Sequence, residues 1–337
     1  MRAAIYGSGA MGTILGAYLT RAKVDIVLVN RNKDHVDALN RNGAKIVGEE
    51  ELIQAVRAVT PLEMSKDYDV IFLTTKQTEN EAIAEFLRDK LSKTGVVCTI
   101  QNGLPEIKLM DILGTDRVIG AAAVWGATLE KAGVARLTSN PNNMSFQIGS
   151  LSQGNKDKLE IIKEILENMC PVSIEDNFIG ARFSKLIINA TLSGLSTVFG
   201  VTFGEVTKNR NMRQLAQSVI KETIDVAKAA DIKIMPVQGK DIVKLMYYEN
   251  NMKKRFANLI IPFVTRKHKN ISSGMLYDIQ RGAKTEIDAI NGVVCEFGRR
   301  YSKATPFNDR IVEIVHSIEQ KKYVSSIDNL RLFNDLM

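Results

Sequence analysis

Cysteine and histidine are scarce in this 337-residue sequence, which contains three of each. Cys98, Cys170 and Cys295 are widely spaced and form no CxxC pair, so the sequence encodes neither a disulfide framework nor a zinc site. None of the histidines has a second histidine at ligand spacing, which leaves most transition-metal sites and Ser/His/Asp chemistry without residues. We therefore expect metal-free chemistry in a reducing, cytoplasmic environment.

Long apolar runs are also absent. The longest stretch without a charge, residues 186–204, contains Asn189 and several Thr, Ser and Gly residues, which makes it too polar for a lipid-facing helix. The formal net charge of +7 is a modest excess that attracts phosphates or carboxylates without requiring a nucleic acid. We expect a small-molecule ligand and neither a membrane nor a nucleic-acid partner.

The length and the hydrophobic pattern predict two domains, residues 1–176 and 177–337. In the first, short β-branched runs alternate with amphipathic segments, which is typical of a doubly wound α/β domain with a parallel sheet. In the second, apolar residues recur with a 3.6-residue period and predict an all-helical domain. The predicted strands are Ala3–Gly7, Asp25–Asn30, Asp69–Thr74, Val96–Gln101 and Val118–Val124, with an antiparallel extension near Gly133–Gly149, and the predicted C-terminal helices cover 181–199, 209–230, 236–260, 275–301 and 307–321.

A glycine-rich turn follows the first predicted strand and opens the first helix. Its GxGxxG pattern suits a dinucleotide: the first glycine permits a tight turn, the second lets a pyrophosphate approach, and the third allows close helix packing. The pyrophosphate then lies at the helix N-terminus, where the dipole favours an anion. The predicted cofactor contacts are Gly7, Ser8, Gly9, Ala10, Met11 and Gly12.

The second strand ends at Asn30-Arg31, where an NAD site usually places an acidic residue. Because Arg31 suits a 2′-phosphate that a carboxylate would repel, we predict NADP(H) as the cofactor. The alternative is a surface arginine beside an NAD site.

Two further strand ends carry polar residues, Lys76 and the Asn102 of Gln101-Asn102-Gly103. Ligands bind beyond the carboxyl ends of parallel strands, so both are candidate site residues at the edge of the glycine turn. Taken singly, each indicates an ordinary loop residue, and only their position at the same edge as the glycine turn favours a functional role.

In the second half, Lys185, Asn189 and Ser193 recur every four residues on an otherwise apolar helix. A buried lysine needs a partner or a ligand, so this polar row predicts a ligand-binding face, with a structural hydrogen-bond row as the alternative. Glu286 precedes an apolar stripe at Ile290, Val293 and Phe297, which predicts an inward carboxylate and an ion pair with Lys185. The alternative is a salt bridge that only fixes packing.

Together, Gly7–Gly12, Lys76, Gln101-Asn102-Gly103, Lys185 with Asn189, and Thr285–Asn291-Gly292 resemble the ketopantoate reductase (2-dehydropantoate 2-reductase) family. The resemblance covers Met1 to about Glu319. It implies a Rossmann-like N-terminal domain, a helical C-terminal domain and an active site in the cleft. Members of the family reduce ketopantoate with NADPH to pantoate, on the route to pantothenate and coenzyme A.

The resemblance also implies roles for individual residues. Lys185 is similar to the family's proton donor, and Glu286 to its carboxylate near the lysine and the cofactor. Asn102 would contact cofactor and substrate, Lys76 would line the cleft, and Asn189 would hold substrate hydroxyl groups. The turn Gly126-Ala127-Thr128 resembles a segment whose backbone meets the cofactor, through Ala127.

Two departures from the family pattern bear on the substrate. Ser193 stands where a second asparagine is common, and Gly274 stands where a substrate-binding serine precedes the methionine, with Ser273 one position early. Either Ser273 substitutes for that serine or the pocket differs. Two other functions therefore remain open, a reductase of another 2-oxo acid and a non-catalytic NADP(H)-binding protein. The surface around Met246–Tyr248 is a candidate homodimer contact, with core packing as the alternative.

Overall fold

The computed structural model describes residues 1–237, 239–266 and 269–337, and the chain divides into two compact units. The first comprises Met1–Gln101 and Pro105–Phe178, and the second comprises Asn102–Leu104 and Ile179–Met337. The division after residue 178 lies close to the boundary predicted between 176 and 177. The short segment 102–104, which the prediction assigned to the N-terminal domain, groups with the second unit.

The first unit contains strands and helices in alternation, numbered here in chain order. The strands are β1 (Ala3–Tyr6), β2 (Ile26–Val29), β3 (Ala44–Gly48), β4 (Leu52–Gln54), β5 (Ala58–Val59), β6 (Tyr68–Leu73), β7 (Leu91–Thr99), β8 (Val118–Ala123), β9 (Ala127–Lys131), β10 (Val134–Leu137), β11 (Phe146–Gly149) and β12 (Val172–Ile174). The helices are α1 (Ala10–Arg21), α2 (Lys33–Asn42), α3 (Asn80–Arg88), α4 (Glu106–Leu113) and α5 (Lys156–Leu166).

Eight strands form the main sheet in the order β12-β11-β8-β7-β6-β1-β2-β5. All neighbours pair in parallel except β8 and β11, and β1 pairs in register with both β2 and β6. Both faces are covered, because Ala3 and Ile5 pack into a core with α1 and α2, whereas Ala4 packs into a second core with α3 and α4. This burial on two sides explains why the strands consist of continuous apolar residues. The prediction of a doubly wound α/β domain is confirmed.

A smaller sheet of order β4-β3-β10-β9 packs against α1. It contains the predicted antiparallel extension, since β9 pairs antiparallel with β10. It also contains β3 and β4, which the sequence did not predict. Strand β3 joins the sheet through a parallel pairing with β10, a partner far away in the chain.

The second unit is mainly helical, as predicted. Its elements are α6 (Phe178–Ile188), a π-helical turn (Asn189–Ser193), α7 (Gly194–Phe199), α8 (Phe203–Lys208), α9 (Arg210–Ala229), α10 (Ile242–Met246), α11 (Asn251–Val264), α12 (Gly274–Gln280), α13 (Ile287–Arg300) and α14 (Pro306–Glu319). Helix α14 begins at Pro306, as expected for proline in a first helical turn.

Besides the predicted helix 181–199, which contains the π-helical turn, two of the predicted long helices are interrupted. The segment 236–260 does not start a helix at Pro236. Instead, α10 and α11 are separated, and the Asn250 side chain caps α11 by accepting a hydrogen bond from the Lys253 N–H at 2.9 Å. The segment 275–301 is split after Gln280, where Gly282 adopts a positive φ of 69°. The hydrophobic period of the sequence does not show such breaks, because helix ends are set by capping side chains and left-handed residues, which do not change the spacing of apolar residues.

No helix in the described part of the chain combines the length and the apolar character that a membrane crossing requires.

Candidate functional site

The three glycines of the turn after β1 have different environments. Gly7 has a φ of +99°, and a Cβ there would lie 2.5 Å from Thr75 Cγ2. At Gly12 a Cβ would lie 2.8 Å from Thr74 Oγ1 and 2.9 Å from Ile5 Cγ2. At Gly9 the nearest atom would be 3.8 Å away. Gly7 therefore shapes the turn, Gly12 lets α1 approach the sheet, and Gly9 leaves open space for a ligand.

Two backbone donors of this turn are bonded to the end of β2. The N–H groups of Gly7 and Ser8 both donate to the Val29 carbonyl, at 2.9 and 3.0 Å, and Ser8 is fully buried. These two residues therefore shape the turn, and their contact with the cofactor stays a prediction. The first turn of α1, from Ala10 onward, carries no acidic residue, so its N-terminal N–H groups suit an anion.

A buried network of hydrogen bonds, which the sequence analysis did not predict, supports the glycine turn. The Ser8 carbonyl accepts hydrogen bonds from Asn30 Nδ2 at 2.9 Å and Thr13 Oγ1 at 3.1 Å. His35 Nε2 lies 3.2 Å from Thr13 Oγ1, and His35 Nδ1 accepts from the Gly133 N–H at 3.1 Å. Since Nδ1 is an acceptor, the ring is neutral with its hydrogen on Nε2. Burial lowers the pKa of His35, which keeps this arrangement neutral.

Arg31 lies at the end of β2, as predicted, but it has a partner. Its Nη1 lies 3.2 and 3.1 Å from the two carboxylate oxygens of Glu79, and both side chains are exposed. Glu79 belongs to a short 3₁₀ turn after β6, so no local sequence pattern predicts that a carboxylate reaches this strand end. The pair brings one cation and one anion to the position where cofactor preference is usually set.

Lys76 and Asn102 lie in different units. Lys76 is half-buried and precedes the 3₁₀ turn Gln77–Glu79. Asn102 is half-buried and follows Gln101, whose Nε2 donates to the Thr75 carbonyl at 2.9 Å and to Asn80 Oδ1 at 2.7 Å. Gln101 thus joins the ends of β6 and β7 to α3 and fixes the backbone that leads to Asn102.

Ala127 is half-buried at the start of β9. The preceding residue, Gly126, donates its N–H to Ser139 Oγ at 2.9 Å, and its carbonyl accepts from the Thr138 N–H at 3.0 Å. This turn is therefore held by the smaller sheet.

The polar row of Lys185, Asn189 and Ser193 is half-buried, whereas Leu186, Ala190 and Leu192 on the same segment are buried. The row does not lie on a continuous α-helix, because Asn189–Ser193 forms a π-helical turn. In an α-helix each four-residue step overshoots a full turn by about 40°. A wider i→i+5 turn advances less per residue and brings Ser193 back towards the line of Lys185 and Asn189.

The π-helical turn has a specific partner in α13. Asn291, which is fully buried, donates from Nδ2 to the Ala190 carbonyl at 2.9 Å and to Asn308 Oδ1 at 2.9 Å. Asn308 in turn donates from Nδ2 to Glu222 at 2.7 Å. A π-turn disturbs the regular i→i−4 pairing, and this chain of side chains satisfies a carbonyl within it.

Ser273 caps α12. It is 1 % exposed, and its Oγ accepts hydrogen bonds from the Met275 N–H at 3.1 Å and from Thr197 Oγ1 at 3.0 Å. This gives Ser273 a structural role as a helix cap, and its substrate contact stays a prediction. At Gly274, by contrast, a Cβ would meet no atom within 4 Å.

Glu286 is half-buried and is the residue before α13, so it is not part of the helical stripe from which its orientation was predicted. Its position is fixed through Thr285, whose N–H and Oγ1 both donate to Glu319 Oε1 at 2.7 Å. Burial raises the pKa of Glu319, but the hydrogen bonds from Thr285 and His316 outweigh burial and lower it. The ion pair between Lys185 and Glu286 stays a prediction.

Among the candidate dimer residues, Met246 is 4 % exposed and packs in an apolar cluster with Ile187 and Ile261, which agrees with the core packing given as the alternative. The adjacent Tyr247 donates from its hydroxyl to Asp225 at 2.8 Å. Core packing therefore accounts for Met246.

Two family models match most of the chain. The model described as ketopantoate reductase PanE/ApbA matches residues 3–153, and the model of the ketopantoate reductase PanE/ApbA C-terminal part matches residues 177–319. The chain belongs to the ketopantoate reductase PanE/ApbA family.

Individual relatives in this family align along nearly the whole length. A 2-dehydropantoate 2-reductase from Pyrococcus horikoshii is 28% identical over 95% of this chain and 98% of its own, and one from Aquifex aeolicus is 27% identical over 95% and 97%. Two solved structures share the fold. A PanE/ApbA family ketopantoate reductase from Ralstonia eutropha has a TM-score of 0.80 at 24% identity, covering 96% of this chain and 99% of its own. A ternary complex of D-mandelate dehydrogenase with NADH and anilino(oxo)acetate has a TM-score of 0.81 at 22% identity, covering 95% and 99%.

Proposed function

We propose that this protein is an NADPH-dependent reductase of 2-dehydropantoate, which it converts to pantoate in pantothenate and coenzyme A biosynthesis. The observation that carries the proposal is the half-buried polar row of Lys185, Asn189 and Ser193 on an otherwise buried helical segment, in a chain of the ketopantoate reductase family. The names of the Pyrococcus and Aquifex relatives support the substrate.

The residues of the glycine turn fit a nicotinamide dinucleotide. Gly9 leaves space beside the N-terminus of α1, whose first turn carries no acidic residue to repel a pyrophosphate. Met11 and Gly12 continue this turn, and Ala127, Lys76, Asn102 and Glu286 are proposed as further cofactor contacts. Arg31 is proposed to bind the 2′-phosphate of NADPH, which requires it to share or leave its partner Glu79.

When bound, the nicotinamide supplies hydride to the carbonyl carbon of the 2-oxo acid. Lys185 donates a proton from Nζ to the carbonyl oxygen, a contribution of about 10²–10⁴-fold for a general acid. Glu286 orients this ammonium and favours its charged form. Asn102, Asn189 and Ser193 bind the substrate, and their amide and hydroxyl groups are suited to its carboxylate and hydroxyl oxygens.

The test is NADPH oxidation, followed by absorbance, with ketopantoate and a panel of other branched and aromatic 2-oxo acids. We expect the highest kcat/KM for ketopantoate. Lys185→Ala should lower kcat by about 10²-fold or more with little change in NADPH affinity, since general acid catalysis acts on the transition state. The exposed Lys322→Ala is the matched control and should leave kcat unchanged. Unchanged turnover in Lys185→Ala would refute the assignment of the proton donor.

A second candidate, reduction of a different 2-oxo acid, is favoured by Gly274. The family's usual serine is missing at this position, the space a side chain would occupy is open, and the adjacent Ser273 hydroxyl is engaged in capping α12. D-mandelate dehydrogenase, which shares the fold, is named for a 2-hydroxy acid other than pantoate.

Gly274→Ser distinguishes the two candidates, with Gly274→Ala as the control for added bulk. If ketopantoate is the substrate and Ser273 compensates for Gly274, the Gly274→Ser substitution should leave kcat/KM for ketopantoate nearly unchanged. A rise of tenfold or more, an amount worth about 1.4 kcal/mol, would instead favour another 2-oxo acid as the natural substrate. Cofactor binding without reduction of any acid in the panel, and therefore without NADPH oxidation, would support a non-catalytic NADP(H)-binding protein.

A further inference from the structure

The helical unit contains a cavity of about 650 Å³ that the proposed reaction does not use. Its walls are mostly apolar and include Ile187, Ile188, Ile220, Ile242, Leu245 and Ile261. Among the described residues that line it, none is a proposed substrate or catalytic residue. The volume lies within the range of about 300–1,000 Å³ that is usual for small-molecule sites.

The polar residues of this cavity are all basic or hydroxylic. Lys240, Arg266 and Lys269 line it and are exposed, and no carboxylate occurs among its described lining residues. The nearby Asp241 is occupied elsewhere, because its carboxylate accepts from the Lys244 N–H at 2.9 Å and lies 3.6 Å from Lys244 Nζ. The cavity thus combines an apolar interior with three exposed cations.

Thr191 supplies a second sign of a ligand. It lines the cavity, is 2 % exposed, and its Oγ1 has no hydrogen-bond partner among the described groups. A helical threonine usually bonds back to the carbonyl one turn earlier, but Thr191 lies in the π-helical turn and does not. A buried hydroxyl without a partner is costly to the fold, so its retention beside a cavity favours a ligand that pairs with it.

We propose that this cavity binds an amphipathic anion, a medium-length apolar chain that carries a carboxylate. The chain lies along the isoleucine walls, and its carboxylate lies at Lys240, Arg266 and Lys269 and also accepts a hydrogen bond from the Thr191 hydroxyl. A second copy of the protein is a poorer occupant, because it would bring the same three cations into contact. The adjacent α11 does expose Met252, Phe256, Leu259 and Phe263, so self-association is tested directly.

The experiment is calorimetric titration of the full-length protein with butyrate, hexanoate, octanoate and decanoate. Since burial of each methylene contributes about 0.8 kcal/mol, affinity should rise about three- to fourfold per carbon. Decanol, which has no charge, should bind at least fivefold more weakly than decanoate, and decyl phosphate tests whether a phosphate head group is accepted equally. Decanoate should also raise the Tm.

Variants locate the site. Joint substitution Lys240→Gln, Arg266→Gln and Lys269→Gln should weaken decanoate binding at least fivefold, whereas Lys93→Gln, Lys303→Gln and Lys322→Gln, which remove the same charge at exposed positions elsewhere, should not. Leu245→Trp, at a half-buried wall position, should abolish binding while a thermal melt checks folding.

Several outcomes would overturn the proposal. These are the absence of saturable binding, equal affinity for decanol and decanoate, and an equal loss of decanoate affinity in the cavity variant and in the control variant. Sedimentation could also show a dimer that decanoate neither binds nor dissociates. That result would assign the cavity and the adjacent face of α11 to contact with a second copy. None of these readouts depends on reductase activity, so they are independent of the proposed reaction.

Discussion

Arg31 and Glu79 form an exposed ion pair at the end of β2, where the ribose of a dinucleotide is usually bound. Removing Arg31 should affect only the cofactor that carries a 2′-phosphate. We expect Arg31→Ala to raise KM for NADPH about tenfold, because a hydrogen bond to a charged group contributes about 1.5–3 kcal/mol. KM for NADH should stay nearly constant. Initial rates with each cofactor measure both effects.

The partner residue gives the opposite change. Glu79→Gln removes the carboxylate that competes for Arg31 and should lower KM for NADPH. The exposed Arg41→Ala serves as the control for a lost positive charge on this unit. An equal effect of Arg31→Ala on NADPH and NADH would contradict the assignment and return Arg31 to the role of a surface arginine.

The π-helical turn between α6 and α7 depends on close packing against α13. A Cβ at Gly194 would lie 2.7 Å from Asn291 Oδ1 and 3.1 Å from Ile311 Cγ2, and the same Asn291 holds the Ala190 carbonyl. Alanine is the better helix former by about 1 kcal/mol. We nevertheless expect Gly194→Ala to lower the free energy of unfolding by about 1–2 kcal/mol, since overpacking in a tight core outweighs propensity.

Gly292 in α13 is the matched control. A Cβ there would lie 3.5 Å from the nearest atom, an ordinary contact. Gly292→Ala should therefore stabilise the protein by roughly 0.5–1 kcal/mol, as propensity alone predicts. Urea denaturation of both variants measures the contrast. If Gly194→Ala instead stabilises the protein, the packing around the π-helical turn can accommodate the added methyl group.

Local signals predicted the glycine turn and the polar row, because each depends on spacing within one element. The π-helical turn was not predictable, since it relies on Asn291, about a hundred residues later in the chain. The capping roles of Ser273 and Asn250 were also missed, because a serine or asparagine within or beside a periodic segment is equally compatible with a solvated position. The contact between Glu79 and Arg31 was missed for a similar reason, because Glu79 lies in a turn that has no hydrophobic pattern.

Glu222 links acid–base behaviour to the stability of the whole fold. It is buried and accepts hydrogen bonds from the N–H groups of Phe307 and Asn308 at 2.9 and 3.0 Å. Burial outweighs these bonds and raises its pKa from 4.5 to about 7. The pKa of Glu222 is higher in the folded state than in the unfolded state, so its protonated form contributes to the free energy of unfolding. This contribution is complete below about pH 4.5 and is lost as the pH rises through about 7.

The expected loss between pH 5 and pH 8 is about 2.5 kcal/mol, since each unit of pKa difference contributes about 1.36 kcal/mol and part of the titration lies outside this range. Glu222→Gln should remove this slope, whatever its effect on absolute stability. The exposed Glu296→Gln should retain it. Denaturant unfolding at several pH values measures the difference, and parallel curves for the wild type and Glu222→Gln would contradict the raised pKa.

The chain enters the helical unit twice, first as Asn102–Leu104 and then from Ile179 onward. A gene fragment that starts at codon 179 would therefore encode a unit missing three of its own residues. Chimeras that exchange the C-terminal halves of two relatives have to transplant this tripeptide as well. Otherwise one parent's Asn102 is combined with a helical unit from the other.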